Sequence, residues 1–496
     1  MTASQGEVTQ GQGAIGCWMW AWSGGSQAGA GRAHRSMTTT DMPSRNPVAV
    51  RSLVRGLRGV GLSAAWLAGV GVAGAVVAMR EAYPRAPKAG PAQGWPPARP
   101  VPEGRLAVAV VLGASGSVIT DAFGPYEVFA RSQEFFVYTV SASRPTAMLS
   151  GGLAMVPDYS LEDVDAGLAP EPEVVVVPAV AAPNGRKEVP LREWIIRRVD
   201  QGAHLLGVCN GSRLLAAAGL LDGRRATAHW SSIRGLERSR PQVDWVRGQR
   251  YVQDGTLTTT AGVTSGVFGA LRLVEQLAGA GEAQRVGQAL AYPGWSLHGP
   301  TEIRVQRWAP RDLAYLLAVV FPWWRPTVGV GLVEGVGELE AAAPLEVYAS
   351  SFAARTAPIA AEATVTTRHG LHLVATPANA DALRIDRLVV PGVGRIEEVD
   401  SRLLGWAADR GLKVELPNGG QAAGQFSFDA MLGDLAGHSD QTTARVTAKS
   451  IECPTEQLEL AGAGWPWRPT ALLALTATAA IGVARLPAAA TRRNRR

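Results

Sequence analysis

The sequence has few of the residues that build disulfide or zinc scaffolds. Only three of its 496 residues are cysteine, namely Cys17, Cys209 and Cys453. Three cysteines allow at most one intrachain disulfide and cannot supply four thiolates to a structural zinc ion. Charged residues are also scarce, at 18%, whereas 47% of the residues are apolar. A chain of this length and composition is expected to form two or three domains, each with its own core.

Excess positive charge is absent from the central part of the chain. The formal net charge is +6, but residues 1–58 contribute +4 and residues 485–496 contribute +5, which leaves −3 for the middle. A basic groove is therefore not expected, and no helix-turn-helix pattern follows residue 295. We predict no direct binding to nucleic acid.

Motifs for cofactors and metals are missing as well. The chain has no G-x-x-x-x-G-K-[ST] sequence, and residues 113–124 lack the G-x-G-x-x-G spacing. His369 and His372 lie three apart in an expected strand, so their side chains would face opposite sides of it. We therefore predict no cofactor and no metal site.

Each positive end adjoins an apolar segment. Residues 59–79 form an uncharged run, long enough as a helix to cross a hydrocarbon core of about 30 Å. Residues 469–485 form a shorter segment beside a basic end, and we expect a second span there. The positive-inside rule then places both tails in the cytoplasm and residues 80–468 on the other side of the membrane. A single-pass anchor is the alternative.

Between these segments, valine-rich runs alternate with amphipathic stretches. Residues 106–112, 135–142 and 173–180 are typical of buried strands, whereas residues 121–131 and 191–202 are typical of helices. This alternation predicts an α/β fold with a parallel sheet.

The sequence Gly207-Val208-Cys209-Asn210-Gly211 joins an expected strand to an expected helix. Its spacing is that of a nucleophile elbow, in which small flanking residues allow a sharp turn that exposes the central side chain. At a helix N-terminus, backbone N–H groups favour a thiolate and can receive an oxyanion. A buried, inert cysteine between packing glycines fits the same spacing, so both interpretations stay open.

The segment around Cys209, residues 207–230, resembles the PfpI family within the class I glutamine amidotransferase-like superfamily. It is most similar to the amidase-like sensor domains of AraC-type transcription regulators and to isocyanide hydratases. The family's other motifs occur in the family's order along the chain, on both sides of this segment: GPYEVF (124–129), SGGLAMVPDYSLED (150–163), VVVVPAV (174–180) and TTAGVTSGVFGALRLVE (259–275). The resemblance implies a flavodoxin-like parallel-sheet domain.

The resemblance also implies roles for individual residues. Cys209 corresponds to the nucleophile and Glu127 to the acid beside its sulfur, while His229 is either a catalytic group or a structural hydrogen-bond partner. Protease-like members have histidine directly after the cysteine, so Asn210 argues against a protease. The expected pocket and oxyanion residues are Asn210, Gly211, Ala179 and Val180.

A fainter copy of the same motifs follows. Ala343-Pro344-Leu345-Glu346 takes the place of the GPYE motif, and residues 388–394 (LVVPGVG) that of the third strand, but no cysteine is present. We therefore expect two flavodoxin-like domains in tandem, the second degenerate, flanked by transmembrane helices. The predicted order is a disordered tail (1–58), a transmembrane helix (59–79), a proline-rich linker (80–104), a first domain (105–300), a second domain (326–450), a second transmembrane helix (469–485) and a basic tail (486–496).

Three functions are compatible with these features. The first is a membrane-anchored sensor or regulatory protein, as in regulation of transcription, that binds a small molecule beside a reactive cysteine. The second is a cysteine-dependent hydratase or amidase-like enzyme acting on a small electrophile, in which Glu127 would donate and accept protons. The third is a redox sensor that oxidises Cys209. The expected partners are a small-molecule ligand or substrate and the membrane, and a homodimer is left open.

Overall fold

The computed structural model describes residues 47–82, 99–142, 146–379, 384–419 and 426–493. The predicted tail up to residue 46, and most of the proline-rich linker, lie outside these residues. We call residues 99–300 the first half and residues 327–453 the second half. Each half contains one mainly parallel sheet, and the sheet of the second half lies within residues 327–419.

The strands in the described residues of the first half are β1 (Leu106–Leu112), β2 (Phe135–Ser141), β3 (Ala147–Met148), β4 (Ala154–Val156), β5 (Tyr159–Ser160), β6 (Val174–Val177), β7 (His204–Gly207), β8 (Arg225–Ala226), β9 (Asp244–Trp245), β10 (Tyr251–Asp254) and β11 (Leu257–Thr260). The second half contains β12 (Thr327–Leu332), β13 (Arg355–Ala360), β14 (Thr364–Thr366), β15 (His372–Val374), β16 (Thr376–Pro377), β17 (Arg387–Val389) and β18 (Val414–Glu415).

The α-helices include one N-terminal helix, α1 (Pro47–Ala82). Those of the first half are α2 (Ile119–Ala130), α3 (Leu161–Asp165), α4 (Val189–Asp200), α5 (Gly211–Ala217), α6 (Trp230–Ser239), α7 (Ser265–Ala278) and α8 (Ala280–Leu290). They are followed by α9 (Leu313–Val320), α10 (Glu338–Ser351), α11 (Ser401–Asp409), α12 (Ser427–His438), α13 (Gln441–Ile451) and α14 (Trp467–Arg493).

The first sheet has the strand order β10-β11-β7-β6-β1-β2-β5, and β10 is antiparallel to its neighbour. Its central strands are buried on both faces, which explains why β1 and β6 are continuous apolar runs rather than alternating ones. The parallel-sheet α/β fold predicted for this part of the chain is confirmed.

The second sheet has the order β16-β13-β12-β17-β18, which matches the order β5-β2-β1-β6-β7 of the first sheet. The two halves also meet in a shared four-stranded sheet, in which β15 pairs antiparallel with β4. In this pairing His372 lies opposite Val156, and Val374 lies opposite Ala154. The edges of the two halves therefore protect each other from further strand pairing.

Reciprocal contacts join the two halves through α2 and α10. Glu127 on α2 accepts a hydrogen bond from the backbone N–H of Leu339, at the start of α10. Glu346 on α10 accepts one from the hydroxyl of Thr120, at the start of α2. Each carboxyl thus binds the positive end of the helix that bears the other, an arrangement typical of a two-fold interface.

The N-terminal helix is longer than predicted. It begins at Pro47, so residues 47–58 are helical and do not belong to a disordered tail. The window Gly61–Ala78 is long and apolar enough to cross a membrane, and 17% of it is buried against the rest of the protein. The membrane-spanning prediction for residues 59–79 therefore has the support of length and composition.

The second predicted span lies within α14, which packs along α1. Ser63 of α1 donates a hydrogen bond to the carbonyl of Ala480 at 3.3 Å. Within the described ranges, however, α1 is the one helix that is long and apolar enough to span a bilayer. The threonines of α14, such as Thr476 and Thr478, reduce its apolar character, and the two-pass topology is not supported.

Candidate active site

The turn after β7 has the backbone geometry of a nucleophile elbow. Cys209 has φ of 54°, a left-handed conformation that costs a residue with a side chain on the order of 1 kcal/mol. The flanking glycines are required sterically. A Cβ on Gly211 would lie 2.0 Å from the carbonyl oxygen of Val177, and one on Gly207 would lie 2.7 Å from Leu215. The small residues therefore allow α5 to start directly over the sheet.

Asp121 is the carboxyl group that interacts with the Cys209 thiol. It lies in the first turn of α2 and is fully buried. Its Oδ2 accepts a hydrogen bond from the N–H of Ala179 at 3.0 Å, and its Oδ1 is buried without a hydrogen-bond partner among the described residues. Asp121 was not among the predicted site residues. The available signal was its place in the first turn after a central strand, where side chains face the carboxyl edge of the sheet.

Burial raises the pKa of Asp121 well above its usual range. The hydrogen bond from Ala179 lowers this pKa, the charge of Glu346 raises it, the Cys209 thiol lowers it, and the charge of Glu452 raises it, but burial has the largest effect. A buried carboxyl with a raised pKa holds its proton more strongly than an exposed one. Asp121 is therefore suited to donate a proton or a hydrogen bond to a thiolate and its adduct.

Glu127, predicted to be the acid beside the sulfur, binds other groups. Its Oε1 accepts hydrogen bonds from the guanidinium of Arg131 at 2.6 and 2.9 Å, and its Oε2 accepts one from Leu339 at 2.7 Å. It lies six residues after Asp121 on α2, which places it about 120° from Asp121 around the helix axis. Its carboxylate is therefore held by Arg131 on its own helix and by Leu339 of the second half, and these contacts do not place it beside the sulfur.

His229 is placed as a structural hydrogen-bond partner. Its Nε2 lies 2.7 Å from the carbonyl oxygen of Ser450, and its Nδ1 lies 2.8 Å from the hydroxyl of Ser231. Because a carbonyl only accepts, Nε2 bears the proton and Nδ1 accepts from Ser231. Burial lowers the pKa of His229 to about 4, so the ring is neutral at physiological pH. Nε2 links His229 to the second half through Ser450, whereas Nδ1 is bonded to Ser231 within α6, so the catalytic alternative is not supported.

Two of the expected oxyanion donors are already bonded. The N–H of Gly211 donates to the carbonyl of Val208 at 2.7 Å, and the N–H of Ala179 donates to Asp121. Asn210 is the residue before α5, and its carbonyl accepts from Arg213. The oxyanion role predicted for Gly211 and Ala179 is therefore wrong for this conformation, although Ala179 does help to hold the acid.

Val180 and the cysteines also belong to the packed interior. The side chain of Val180 fills the space above Gly113, where a Cβ would meet it at 2.5 Å. Neither Cys209 nor Cys453 forms a disulfide with a described residue, and both are buried. Burial raises the pKa of the Cys453 thiol well above its usual range.

A second carboxyl that the sequence analysis missed comes from the second half. Glu452, directly after α13, accepts hydrogen bonds from the N–H of Gly262 at 2.5 Å and from the hydroxyl of Ser265 at 3.0 Å. Burial raises its pKa to about 7. No sequence signal predicts this contact, because Glu452 and Gly262 are far apart in the chain.

One group of potential metal ligands occurs in the described part of the chain, formed by Glu415, Asp434 and His438. The guanidinium of Arg387 lies between the two carboxylates and forms ion pairs with both. One of the two negative charges that would attract a cation is therefore already compensated by Arg387.

Comparison with known proteins agrees with the fold. The DJ-1/PfpI family matches residues 107–276. Isonitrile hydratase of Pseudomonas putida is 35% identical over 180 residues, which cover 35% of this chain and 72% of that protein. The HTH-type transcriptional regulator CdhR of Pseudomonas aeruginosa is 32% identical over 151 residues, but these cover only 43% of the regulator and 30% of this chain.

A solved structure is also similar to part of the chain. DJ-1beta of Drosophila melanogaster is 23% identical with a TM-score of 0.34, over 38% of this chain and 97% of that one. On the strength of the identity and coverage found for the isonitrile hydratase, this chain belongs to the DJ-1/PfpI family.

Proposed function

We propose that the first half is a cysteine-dependent hydratase for a small electrophilic carbon compound of the isonitrile class. The observation that supports it is the contact between the Cys209 thiol at the elbow and the buried carboxyl of Asp121, whose pKa is raised by burial. This pair supplies a nucleophile and a proton donor at one position, the minimum that such an addition requires. The similarity to isonitrile hydratase over most of that enzyme's length supports the same reaction class.

The proposed reaction has two steps. The Cys209 thiolate forms a C–S bond to the terminal carbon of R–NC, and that carbon takes the proton of Asp121, giving R–N=CH–S. Water then adds across the C=N bond, its oxygen to carbon and one proton to nitrogen. Collapse of this adduct breaks the C–S bond, releases R–NH–CHO and the thiolate, and returns the remaining proton to Asp121. The balance is R–NC plus water to the N-formyl amine, with no oxidant or reductant.

Turnover of a small alkyl isonitrile, followed as formamide by chromatography, tests this function. Cys209→Ser and Asp121→Asn should each abolish the product. Cys453→Ser is the matched cysteine control, since Cys453 is free and buried but belongs to the end of the second half, and it should retain activity. Absence of product with the folded wild-type protein across a panel of isonitriles would refute the enzyme.

A ligand sensor is the second candidate. It is favoured by the match to the regulators CdhR and GlxA, the latter 30% identical over 125 residues, and by the closed site, in which Cys209 is 4% exposed. A sensor would bind its ligand without consuming it. Thermal stabilisation by a compound that is recovered unchanged, and that Asp121→Asn no longer binds, would favour the sensor over the hydratase.

We also propose that the second half is a degenerate copy attached to a membrane-anchored chain. The support is the shared strand order of the two sheets and the absence of cysteine where the chain leaves β18, at Pro417-Asn418-Gly419. The helix α1 provides the anchor by its length and composition. If the copy has lost its chemistry, Cys209→Ser alone should remove all cysteine-dependent activity from the full chain.

A further inference from the structure

Glu452 is held in a backbone conformation that its residue type does not favour. It follows α13 with φ of 55° and ψ of 33°, the left-handed position that glycine or asparagine usually occupies at a helix C-terminus. A residue with a side chain keeps this unfavourable conformation only when its surrounding contacts stabilise it. Its N–H bonds its own helix, whereas its carbonyl and its carboxylate accept hydrogen bonds from the first half.

These contacts come from the loop between β11 and α7, residues 261–264, which we call the closing loop, and from Ser265, the first residue of α7. Besides the hydrogen bonds to its carboxylate from Gly262 and Ser265, the carbonyl of Glu452 accepts from the hydroxyl of Thr264 at 3.0 Å. Gly262 has no space for a side chain, since a Cβ would lie 2.4 Å from the Glu452 carboxyl carbon. The closing loop is therefore shaped around this residue.

The closing loop directly follows a residue that contacts the main chain of Cys209. Thr260, the last residue of β11, accepts a long hydrogen bond from the backbone N–H of Cys209 at 3.4 Å. The charge of Glu452 also reaches Asp121, whose pKa it raises. Glu452 thus acts on both members of the Cys209 and Asp121 pair, on one through the loop and on the other through its charge.

We propose that Glu452, supplied by the second half, is a positioning residue of the Cys209 site, whose charge state sets the reactivity of the thiol. The inference rests on the proposed function, because it presumes that the Cys209 and Asp121 pair is the reactive centre. It also gives the second half a role after loss of its own nucleophile. The chain then needs both halves for a working site.

The electrostatic surroundings fix the direction of the effect. The groups that face Glu452 are the cation of Arg250 before β10, the carboxyl of Asp121 on α2 and the phenol of Tyr292. The guanidinium of Arg250 lowers the pKa of Glu452. Its Oε1 is buried and makes no hydrogen bond to a described residue, so the charge is poorly compensated. Once ionised, Glu452 disfavours the thiolate of Cys209.

The experiment is the pH dependence of Cys209 alkylation by iodoacetamide, followed by mass spectrometry of the peptide that contains Cys209, in the full chain. The wild-type profile should be broader than a single ionisation and show an inflection near pH 7, where Glu452 ionises. Glu452→Gln should remove the inflection and move the remaining midpoint to lower pH. Glu459→Gln, an exposed carboxyl a few residues later, is the charge-matched control and should leave the profile unchanged.

The outcomes separate this inference from the proposed function. A Glu452→Gln profile identical to the wild type, or one shifted by a constant factor at every pH, would overturn the role of its charge. If Glu452→Gln fails to fold, Ser265→Ala tests the inference instead. Loss of the Ser265 donor raises the pKa of Glu452 and should move the inflection to higher pH. An inflection at the wild-type pH would overturn the inference. If Cys209 reacts like a free thiol and Asp121→Asn has no effect, the proposed function fails instead.

Discussion

Replacing Gly211 with alanine should distort the elbow and destabilise the first half. The new Cβ would lie 2.0 Å from the carbonyl oxygen of Val177, a backbone atom in the centre of the sheet. Carbon–oxygen contacts need about 3.3 Å, so α5 would have to move by more than about 1 Å. Overpacking of this kind costs about 1–3 kcal/mol, offset by up to about 1 kcal/mol from the better helix propensity of alanine. We expect a net loss of about 2 kcal/mol.

Thermal unfolding and Cys209 alkylation together measure this effect. A loss of about 2 kcal/mol lowers Tm by about 4–8 °C in a domain of this size. The matched control is Gly281→Ala in α8, where no atom lies within 4 Å of the new Cβ, and which should be neutral or slightly stabilising. Gly211→Ala should also change the alkylation rate of Cys209. Equal stability of the two variants, with unchanged alkylation, would refute the steric account of the elbow.

Three further perturbations address the contacts between the halves and the anchor. Glu127→Gln should lower the unfolding free energy by about 2 kcal/mol, through its weakened ion pair, yet leave the alkylation of Cys209 unchanged; an altered alkylation profile would contradict its placement. The pKa of the His229 ring is about 4 in the folded protein and 6.5 in the unfolded chain, so between these pH values the ring takes up a proton mainly on unfolding. The free energy of unfolding of the wild type should therefore fall by about 3 kcal/mol as the pH decreases through this interval. His229→Gln should remove this loss of stability. Urea unfolding of the wild type and of His229→Gln, at neutral pH and near pH 4, tests this prediction. An equal loss of stability in acid for the two proteins would contradict it. Val72 of α1 is 58% exposed, and Val72→Arg should shift the full chain from the membrane fraction to the soluble fraction on cell fractionation. Leu168→Arg, at an exposed site of the first half, should leave the chain in the membrane fraction. Equal behaviour of the two variants would count against the anchor.

The fold of the first half was predictable because its strands are buried on both faces. Short, continuous valine-rich runs bounded by turns, such as those of β1 and β6, are typical of strands in a parallel sheet that is covered on both faces. The elbow was predictable for a related reason, since only glycine fits at positions 207 and 211. These features depend on neighbours that are close in the chain or on packing that applies to every parallel sheet.

The acid of the site was not predicted correctly because two carboxyls lie on the same helix. Asp121 and Glu127 are both buried in α2, and composition does not tell which one faces the sulfur. That choice depends on the second half, which provides Leu339 as the partner of Glu127. The contribution of Glu452 was invisible for the same reason, as it depends on the docking of one half on the other.

The measurement that tests the account most directly compares Cys209 alkylation across pH in the wild type, Asp121→Asn and Glu127→Gln. If Asp121 is the acid in contact with the thiol, Asp121→Asn should shift the midpoint of the profile, and Glu127→Gln should follow the wild type. A midpoint that moves with Glu127→Gln and not with Asp121→Asn would contradict the assignment.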